Sequence, residues 1–387
     1  MHSINHTDLF HFHAFLLADR GRTESYQKAI AQTGRPGDVV LDVGTGTGIL
    51  AFFSCQAGAR KVYAVEASPA IELAQQVCDR NGLRDRVVFL HDLSFDISLP
   101  EQVDAIITDI GADFGLEGGV LGSMIDARIR FLRKGGSIIP HSLQLFIAPV
   151  EVADPYHRID LWKRDLYGLD FSPIRSFAVN NYYAARFDPQ SFLSDPAPLV
   201  RIPLAEAAGN YVRGNASCIA TRAGVLHGIA GWAVTELAPG ISFSNSPINS
   251  TIQWQQRFFP LETTVLLRQG DCLGVTFSTN DGEQWRWQVK VSGQPDAKKS
   301  LTEPKRQFEH SSFQGFPLSK VRPSRQASSH KPKLSPKGEA LLFLLGAFNG
   351  ERTIEELETE LLRRYGDCFP SRTAALQFLR EIVTLSA

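Results

Sequence analysis

The run VVLDVGTGTGILAFF, residues 39–53, constrains this chain more than any other stretch: a β-branched strand, three glycines at alternate positions, then an apolar helix. Gly44, Gly46 and Gly48 fall in the strand-to-helix turn, where a missing side chain lets a ligand approach the backbone closely. Asp42 closes the strand, Thr45 sits within the turn, and Glu66 ends the next strand twenty-four residues after Asp42. An acid at such a strand end suits the two hydroxyls of a ribose. The pattern around it alternates. DVVLDV, KVYAVE, RVVFLH and VDAIITD read as strands, and TGILAFFSCQAGA and SPAIELAQQVCDRNGL as helices. Strands separated by helices mean a parallel sheet, here within residues 1–149. The helix GVLGSMIDARIRFLRKGG is expected to stop at its glycine pair, with SIIP as a further strand.

After residue 150 the runs become short, alternating and turn-bounded, which predicts an antiparallel β domain over 150–295, sandwich or barrel. Residues 296–335 are rich in Lys, Arg, Pro and Ser and read as a basic, mobile linker. Residues 336–387 give three helical patterns, with Thr353 and Glu356 forming a capping box and Ser371 able to cap the last helix. Leu341, Leu342, Leu344, Leu345, Phe348, Ile354, Leu357, Leu361, Leu362, Leu376, Leu379 and Ile382 are expected to form the core of that bundle.

The net charge of -1 across 387 residues gives no global field for nucleic acid or an anionic membrane, so neither is expected as a partner. Five scattered cysteines without a C-x-x-C pair argue against a disulfide framework or a metal site. With no membrane-length apolar run and no signal-peptide pattern at the N-terminus, a cytoplasmic location is expected.

The stretch ITDIGADFGLEGG, residues 107–119, spaces Asp109, Asp113 and Glu117 at four-residue steps. Gly111, Gly115, Gly118 and Gly119 make this a loop carrying acid. Asp109 lies at a strand's carboxyl end, where ligands bind in parallel sheets. Glu117 reads either as a ligand group or as an acid favoured at the start of the following helix, and Asp113 as solvated loop. Asp92 either faces an adenine amine or is an ordinary turn aspartate.

LDVGTGTG with VYAVEAS resembles the S-adenosyl-L-methionine site of class I methyltransferases. With HAFLLADRGRTESY, RFLRKGGSIIPHSLQLFIAPVE, LWKRDLYGLDFSPI and IQWQQRFFPLE, the chain from about residue 10 to 293 resembles the protein arginine methyltransferases. The resemblance implies an α/β Rossmann-like domain, then an antiparallel β-barrel domain, and dimerisation through the LWKRDLYGLDFSPI arm. It implies that Arg22, in a segment where His13 and Asp19 also match, binds the methionyl carboxylate of the cofactor, with His13, Asp42, Gly44, Thr45, Gly46, Gly48, Glu66 and Asp92 as its further binding residues. It implies further that Asp109, in place of a family glutamate, and Glu117, one position early, hold a substrate guanidinium. Gln253 stands where the family has histidine before Trp254, and that histidine usually pairs with an acid near the N-terminal helix. Trp254 reads either as a pocket residue or as core.

The C-terminal segment, around FNGERTIEEL, resembles the helical part of PqqD-like domains, which hold the leader of a ribosomally made peptide. The expected function is S-adenosyl-L-methionine-dependent N-methylation of a peptide or protein, on arginine. The alternatives are another acceptor side chain or small nucleophile, or a degenerate peptide-binding scaffold.

Overall fold

The computed structural model describes residues 6–109, 111, 113–280, 282–293, 306–317, 331, 333–369 and 371–386. The chain divides into two compact units, Met1–Pro317 and Leu318–Ala387.

The first unit opens with helices α1 (His6–Ala18) and α2 (Arg20–Thr33). An α/β layer follows: β1 (Val39–Val43), α3 (Ile49–Gln56), β2 (Lys61–Val65), α4 (Ala70–Arg80), β3 (Val87–Leu90), β4 (Val103–Thr108), α5 (Val120–Phe131) and β5 (Leu132–Ile139). All its ladders are parallel, in the order β3-β2-β1-β4-β5. Every residue of β1 is buried, as a strand covered on both faces requires. Each such Val or Leu contributes about 1.5–3 kcal/mol by leaving water. The strand order reverses between β1 and β4, so a crevice opens at their carboxyl ends.

Helix α5 ends at Phe131, earlier than expected, and the glycine pair lies inside β5. Leu132 already has extended dihedrals (φ -75°, ψ 127°). Ladder pairing with β4 starts there and is interrupted before Ser137, so Gly135 at φ 77° takes up an irregular step within the strand.

The chain then enters the β layers: β6 (Ser142–Val150), α6 (Ala153–Asp160), β7 (Asp165–Leu166), β8 (Leu169–Asp170), α7 (Ser172–Ala178), β9 (Tyr183–Ala185), β10 (Ala197–Pro203), β11 (Tyr211–Ile219), β12 (Gly224–Ala238), β13 (Ile241–Ser244), β14 (Gln256–Leu267), β15 (Cys272–Asn280), β16 (Gln284–Ser292) and β17 (Arg306–Ser311). The barrel expectation is corrected here. The strands form a six-stranded sheet, β10-β6-β12-β14-β9 with β13 on β12, and a four-stranded sheet, β11-β15-β16-β17. Among the described residues no ladder closes them into a ring. Strand β10 is an edge: Pro198 and Pro203 lack N–H donors, and its register shifts between Pro198 and Val200. Strand β17 falls inside the stretch read as linker and pairs with β16 from Arg306 to Ser311. There Phe308 and His310 turn inward while Glu309 stays exposed, an alternation hidden by the charged composition around it.

The second unit holds helices Pro336–Ala347, Ile354–Tyr365 and Arg372–Ser386. The capping box forms, with the Glu356 carboxylate accepting from the Thr353 N–H at 2.8 Å, and Ser371 Oγ accepts from Ala374 N–H at 3.1 Å. Ala340, Leu344, Ala347, Leu357, Leu361, Ala375 and Leu379 make the core. Leu342, Leu345 and Ile354, expected inside, are exposed. Among the described residues this unit contains no strand.

Candidate functional site

Helix α2, the glycine turn and the end of β4 converge on a cavity of about 400 Å³. His13, Arg22, Gly44, Thr45, Gly46, Glu66, Asp109 and Glu117 all line it, so most of the residues singled out in the sequence meet in one place. A neighbouring cavity of about 480 Å³ shares Gly44, Glu66 and Gly118 with it and extends to Asp92, Leu93, Phe95 and Asn210.

The glycine turn is held from beneath. Gly44 and Thr45 both donate backbone N–H to the Val65 carbonyl at 2.9 Å. Gly48 caps α3 at φ 88°, and a Cβ there would meet the Phe52 ring at 2.5 Å. A Cβ on Gly46 would meet the His13 ring at 2.8 Å, so α1 closes directly over the turn. Burial lowers the His13 pKa, with Glu66 opposing the shift. The neutral imidazole therefore dominates near pH 7.

Glu66 is fixed by two backbone donors, Gly46 N–H at 2.9 Å and Ser68 N–H at 2.8 Å. Its carboxylate lies in the wall shared by the two cavities, as a group receiving ribose hydroxyls would.

Asp42 lines neither cavity. It is fully buried, and its Oδ2 accepts from Thr45 Oγ1 at 2.6 Å and from Ala51 N–H at 3.0 Å, bracing the turn against α3. Burial pushes its carboxyl up to about 7, against the hydrogen bonds of Thr45 and Ala51. A folded-state pKa above the unfolded value means the native state binds the extra proton. The group therefore favours folding at low pH and loses that contribution as pH rises from about 4 through about 7. Asp42→Asn is expected to remove that component of the pH dependence. Urea unfolding should show the variant gaining stability relative to the parent between pH 5 and pH 8, and an unchanged difference would contradict the assignment.

Arg22 is 1% exposed, and its Nη2 donates to the Leu16 carbonyl at 2.7 Å. Nη1 forms an ion pair with Asp109 Oδ2. Nε and Nη1 have no hydrogen-bond partner among the described residues, nor has Asp109 Oδ1. A buried guanidinium and a buried carboxylate oxygen with unfilled capacity, on two residues that line one cavity, are what a zwitterionic ligand and a cationic acceptor would complete.

The rest of the acidic loop is anchored elsewhere. Phe114 is fully buried between Trp285 (ring centroids 4.8 Å apart), Phe259 (5.4 Å) and Phe277 (6.0 Å), all from the β sheets. Glu117 accepts from Phe114 N–H at 3.1 Å and from Arg257 Nε at 3.1 Å. Asp113, read as solvated loop, is instead largely enclosed, with Oδ1 accepting from Gln255 N–H at 3.2 Å. Burial pushes its carboxyl up, against the pull of Arg257.

Gln253 and Trp254 line neither cavity. Trp254 packs edge-on to Phe243, 6.2 Å away, and the Gln253 side chain is exposed. Gln253 brings no side-chain charge to pair with an acid near the N-terminal helix, but its backbone N–H donates to Asp19 Oδ2 at 2.8 Å. Asp19 also caps α2, accepting from Arg22 N–H at 3.4 Å. Sequence reasoning missed Arg257 and the Leu9, Phe12, Leu16 and Leu17 wall of α1. The signal for Arg257 was a lone cation in an apolar strand, QRFFPL, opposite an acidic loop.

Two family models match the chain: the arginine methyltransferase oligomerization subdomain over residues 141–293, and the ribosomal protein L11 methyltransferase (PrmA) over residues 21–142. Protein arginine N-methyltransferase 6 of Xenopus laevis is 35% identical over 288 residues, covering 70% of this chain and 84% of that protein. An Arabidopsis thaliana protein named for the same activity is 43% identical over 180 residues, but that match spans only 40% of its length. Among solved structures, protein arginine methyltransferase 10 of Arabidopsis thaliana superposes with a TM-score of 0.66 at 25% identity, over 78% of this chain and 97% of that one. A Trypanosoma brucei PRMT1 enzyme–prozyme complex with AdoHcy gives 0.68 at 22% identity, over 77% and 98%. With the glycine turn, Glu66, Arg22 and Asp109 gathered at the crevice of the parallel sheet, these likenesses place the chain in the protein arginine N-methyltransferase family.

Proposed function

We propose that this protein is an S-adenosyl-L-methionine-dependent N-methyltransferase acting on arginine in a peptide or protein. The observation that carries the reading is the single cavity in which Arg22, the glycine turn and Glu66 face Asp109. The residues fit the cofactor: Arg22 has donors to spare for its carboxylate, the glycine turn admits its backbone-hugging portion, and Glu66 receives its ribose. Asp92 lines the neighbouring cavity, on the side proposed for the adenine. When bound, the cofactor supplies an electrophilic methyl group on a sulfonium.

Asp109 orients the acceptor guanidinium through its unfilled Oδ1, and Glu117 closes the same cavity. A carboxylate localises the positive charge on the nitrogens it contacts and leaves the remaining nitrogen better able to attack. Alignment of that nitrogen, more than a strong base, is what such a transfer requires. Gln253 and Trp254 act at a distance: Gln253 bonds the Asp19 cap that leads into Arg22, and Trp254 stiffens the sheet end beside it.

The chain is proposed to dimerise through the arm formed by α6, the β7–β8 hairpin and α7. Tyr167, 98% exposed at φ 61°, and Leu169 project from the hairpin tip. The C-terminal helical unit is proposed to hold a segment of the substrate peptide, such as a leader, with Leu342, Leu345 and Ile354 as exposed apolar contacts. A cytoplasmic setting suits five free cysteines. Among the described residues no helix is long and apolar enough to cross a membrane.

The test is incubation of the purified chain with methyl-labelled S-adenosyl-L-methionine and arginine-containing peptides, with label located by mass spectrometry. Label on arginine is expected. Label confined to another side chain would overturn the acceptor assignment.

A further inference from the structure

Arg257, on β14, reaches out of its sheet into the acidic loop. Its Nε lies 3.1 Å from Glu117 Oε1 and its Nη1 lies 3.4 Å from Asp113 Oδ2. Its guanidinium carbon sits 5.5 Å from the centre of the Tyr182 ring. Two carboxylates and an aromatic face are what a site for an arginine side chain would offer, and here a side chain of the protein itself fills it. The three charged side chains are only 12–20% exposed, so solvent and salt screen the contacts weakly. Glu117 has further commitments, since both of its oxygens accept from Phe114 N–H, at 3.1 and 3.2 Å. Asp109 also meets a buried arginine, Arg22, through Oδ2, but its Oδ1 is buried with no hydrogen-bond partner among the described residues, and the residue lines the cavity.

We infer that Arg257 is a specificity-determining residue, a resident guanidinium that withholds Glu117 from the acceptor and leaves Asp109 as the one carboxylate that grips the incoming arginine. The inference rests on the arginine-methylating function proposed above. A two-carboxylate grip would hold both edges of the acceptor's planar fork, whereas a one-carboxylate grip holds a single edge. The cost falls chiefly on acceptor binding, because the edge of the fork that meets Asp109 is held in either case. Relieving Glu117 of Arg257 therefore tightens acceptor binding.

The experiment uses the full chain and an arginine peptide, with steady-state methylation as the readout. Arg257→Gln is expected to lower KM for the peptide by about tenfold with no fall in kcat. Arg257→Lys, which keeps the charge on the acidic loop, should hold KM within about threefold of the parent. Glu117→Gln should raise KM about ten times more in the Arg257→Gln background than in the parent, because only there does Glu117 meet the acceptor. Titration with S-adenosylhomocysteine checks that each variant keeps its fold and cofactor cavity.

A rise in KM or a fall in kcat on Arg257→Gln would overturn the inference, since Arg257 would then be positioning Glu117 for the acceptor. Should Arg257→Gln fail to fold, the comparison of Glu117→Gln with Asp109→Asn in the parent decides. The inference requires the larger KM defect at Asp109, and equal or reversed defects would overturn it. Absence of arginine methylation in the parent, despite S-adenosylhomocysteine binding, would instead overturn the acceptor reading itself and the inference with it.

Discussion

Asp109→Asn is expected to lower kcat/KM for an arginine peptide by about a hundredfold or more, some 3 kcal/mol of lost stabilisation. The substitution conserves shape, so the loss is one of charge. The acceptor's guanidinium meets an amide where it had a carboxylate, and a charge-assisted hydrogen bond worth about 1.5–3 kcal/mol is replaced by a neutral one. A second effect has the opposite sign for the cofactor. Asp109 is the counter-ion of Arg22. Its neutralisation leaves a buried guanidinium seeking an anion, so S-adenosylhomocysteine should bind at least as tightly to the variant as to the parent. Calorimetric titration beside the kinetics separates the two. Unchanged peptide methylation, or cofactor binding that collapses together with activity, would contradict the division of labour between these residues.

Arg22→Met is expected to weaken S-adenosylhomocysteine binding by about a hundredfold and to destabilise the fold by roughly 3–5 kcal/mol. The stability term arises because Asp109, with a side chain 14% exposed, keeps its charge and loses its partner. The carbonyl of Leu16, which joins α1 to α2 through Arg22 Nη2, loses that donor as well and keeps Thr23 Oγ1 at 3.3 Å. The double variant Arg22→Met with Asp109→Leu should recover most of the stability, since removing both charges is far cheaper than removing one. It should recover none of the cofactor affinity. Arg22→Lys should fare little better in binding, because a single ammonium cannot serve Leu16, Asp109 and a ligand carboxylate from one point. Urea unfolding with parallel titrations tests this, and a double variant that regains affinity would show that Arg22 holds no cofactor.

What the sequence disclosed was local, and what it concealed was tertiary. The glycine turn, Glu66 and Asp109 were legible because strand, turn and helix are neighbours in the chain, and their joint geometry is dictated by the parallel sheet. Asp42 was legible as important and misplaced in role. Nothing in LDVGTG tells whether the carboxylate points to the ligand or back to Ala51 N–H. Arg257 lies 140 residues from Glu117, so only the meeting of loop and β sheet could reveal their pairing. The Gln253 position shows the reverse case. The side chain offers no charge to pair with an acid, while the backbone N–H, common to both residues, still reaches Asp19. Strand β17 was masked by charge, since alternation over six residues is easily overwritten by exposed Arg, Gln and Glu. In the helical unit, Leu342 and Leu345 share one helix with Leu344 but lie on other faces, and residue type alone could not rank them.

Phe114 carries a consequence for how such a protein diversifies. Asp109 belongs to the end of the parallel sheet, while Glu117, eight residues further along the chain, is tethered through Phe114 and Arg257 to the β sheets. The spacing of the two acids is therefore a caliper whose jaws belong to different layers of the molecule. A change of volume at Phe259, Phe277 or Trp285, none of which lines the cavity, would open or close that caliper without altering any acidic residue. Selection for a new acceptor could thus proceed through the aromatic core, leaving the acids themselves untouched.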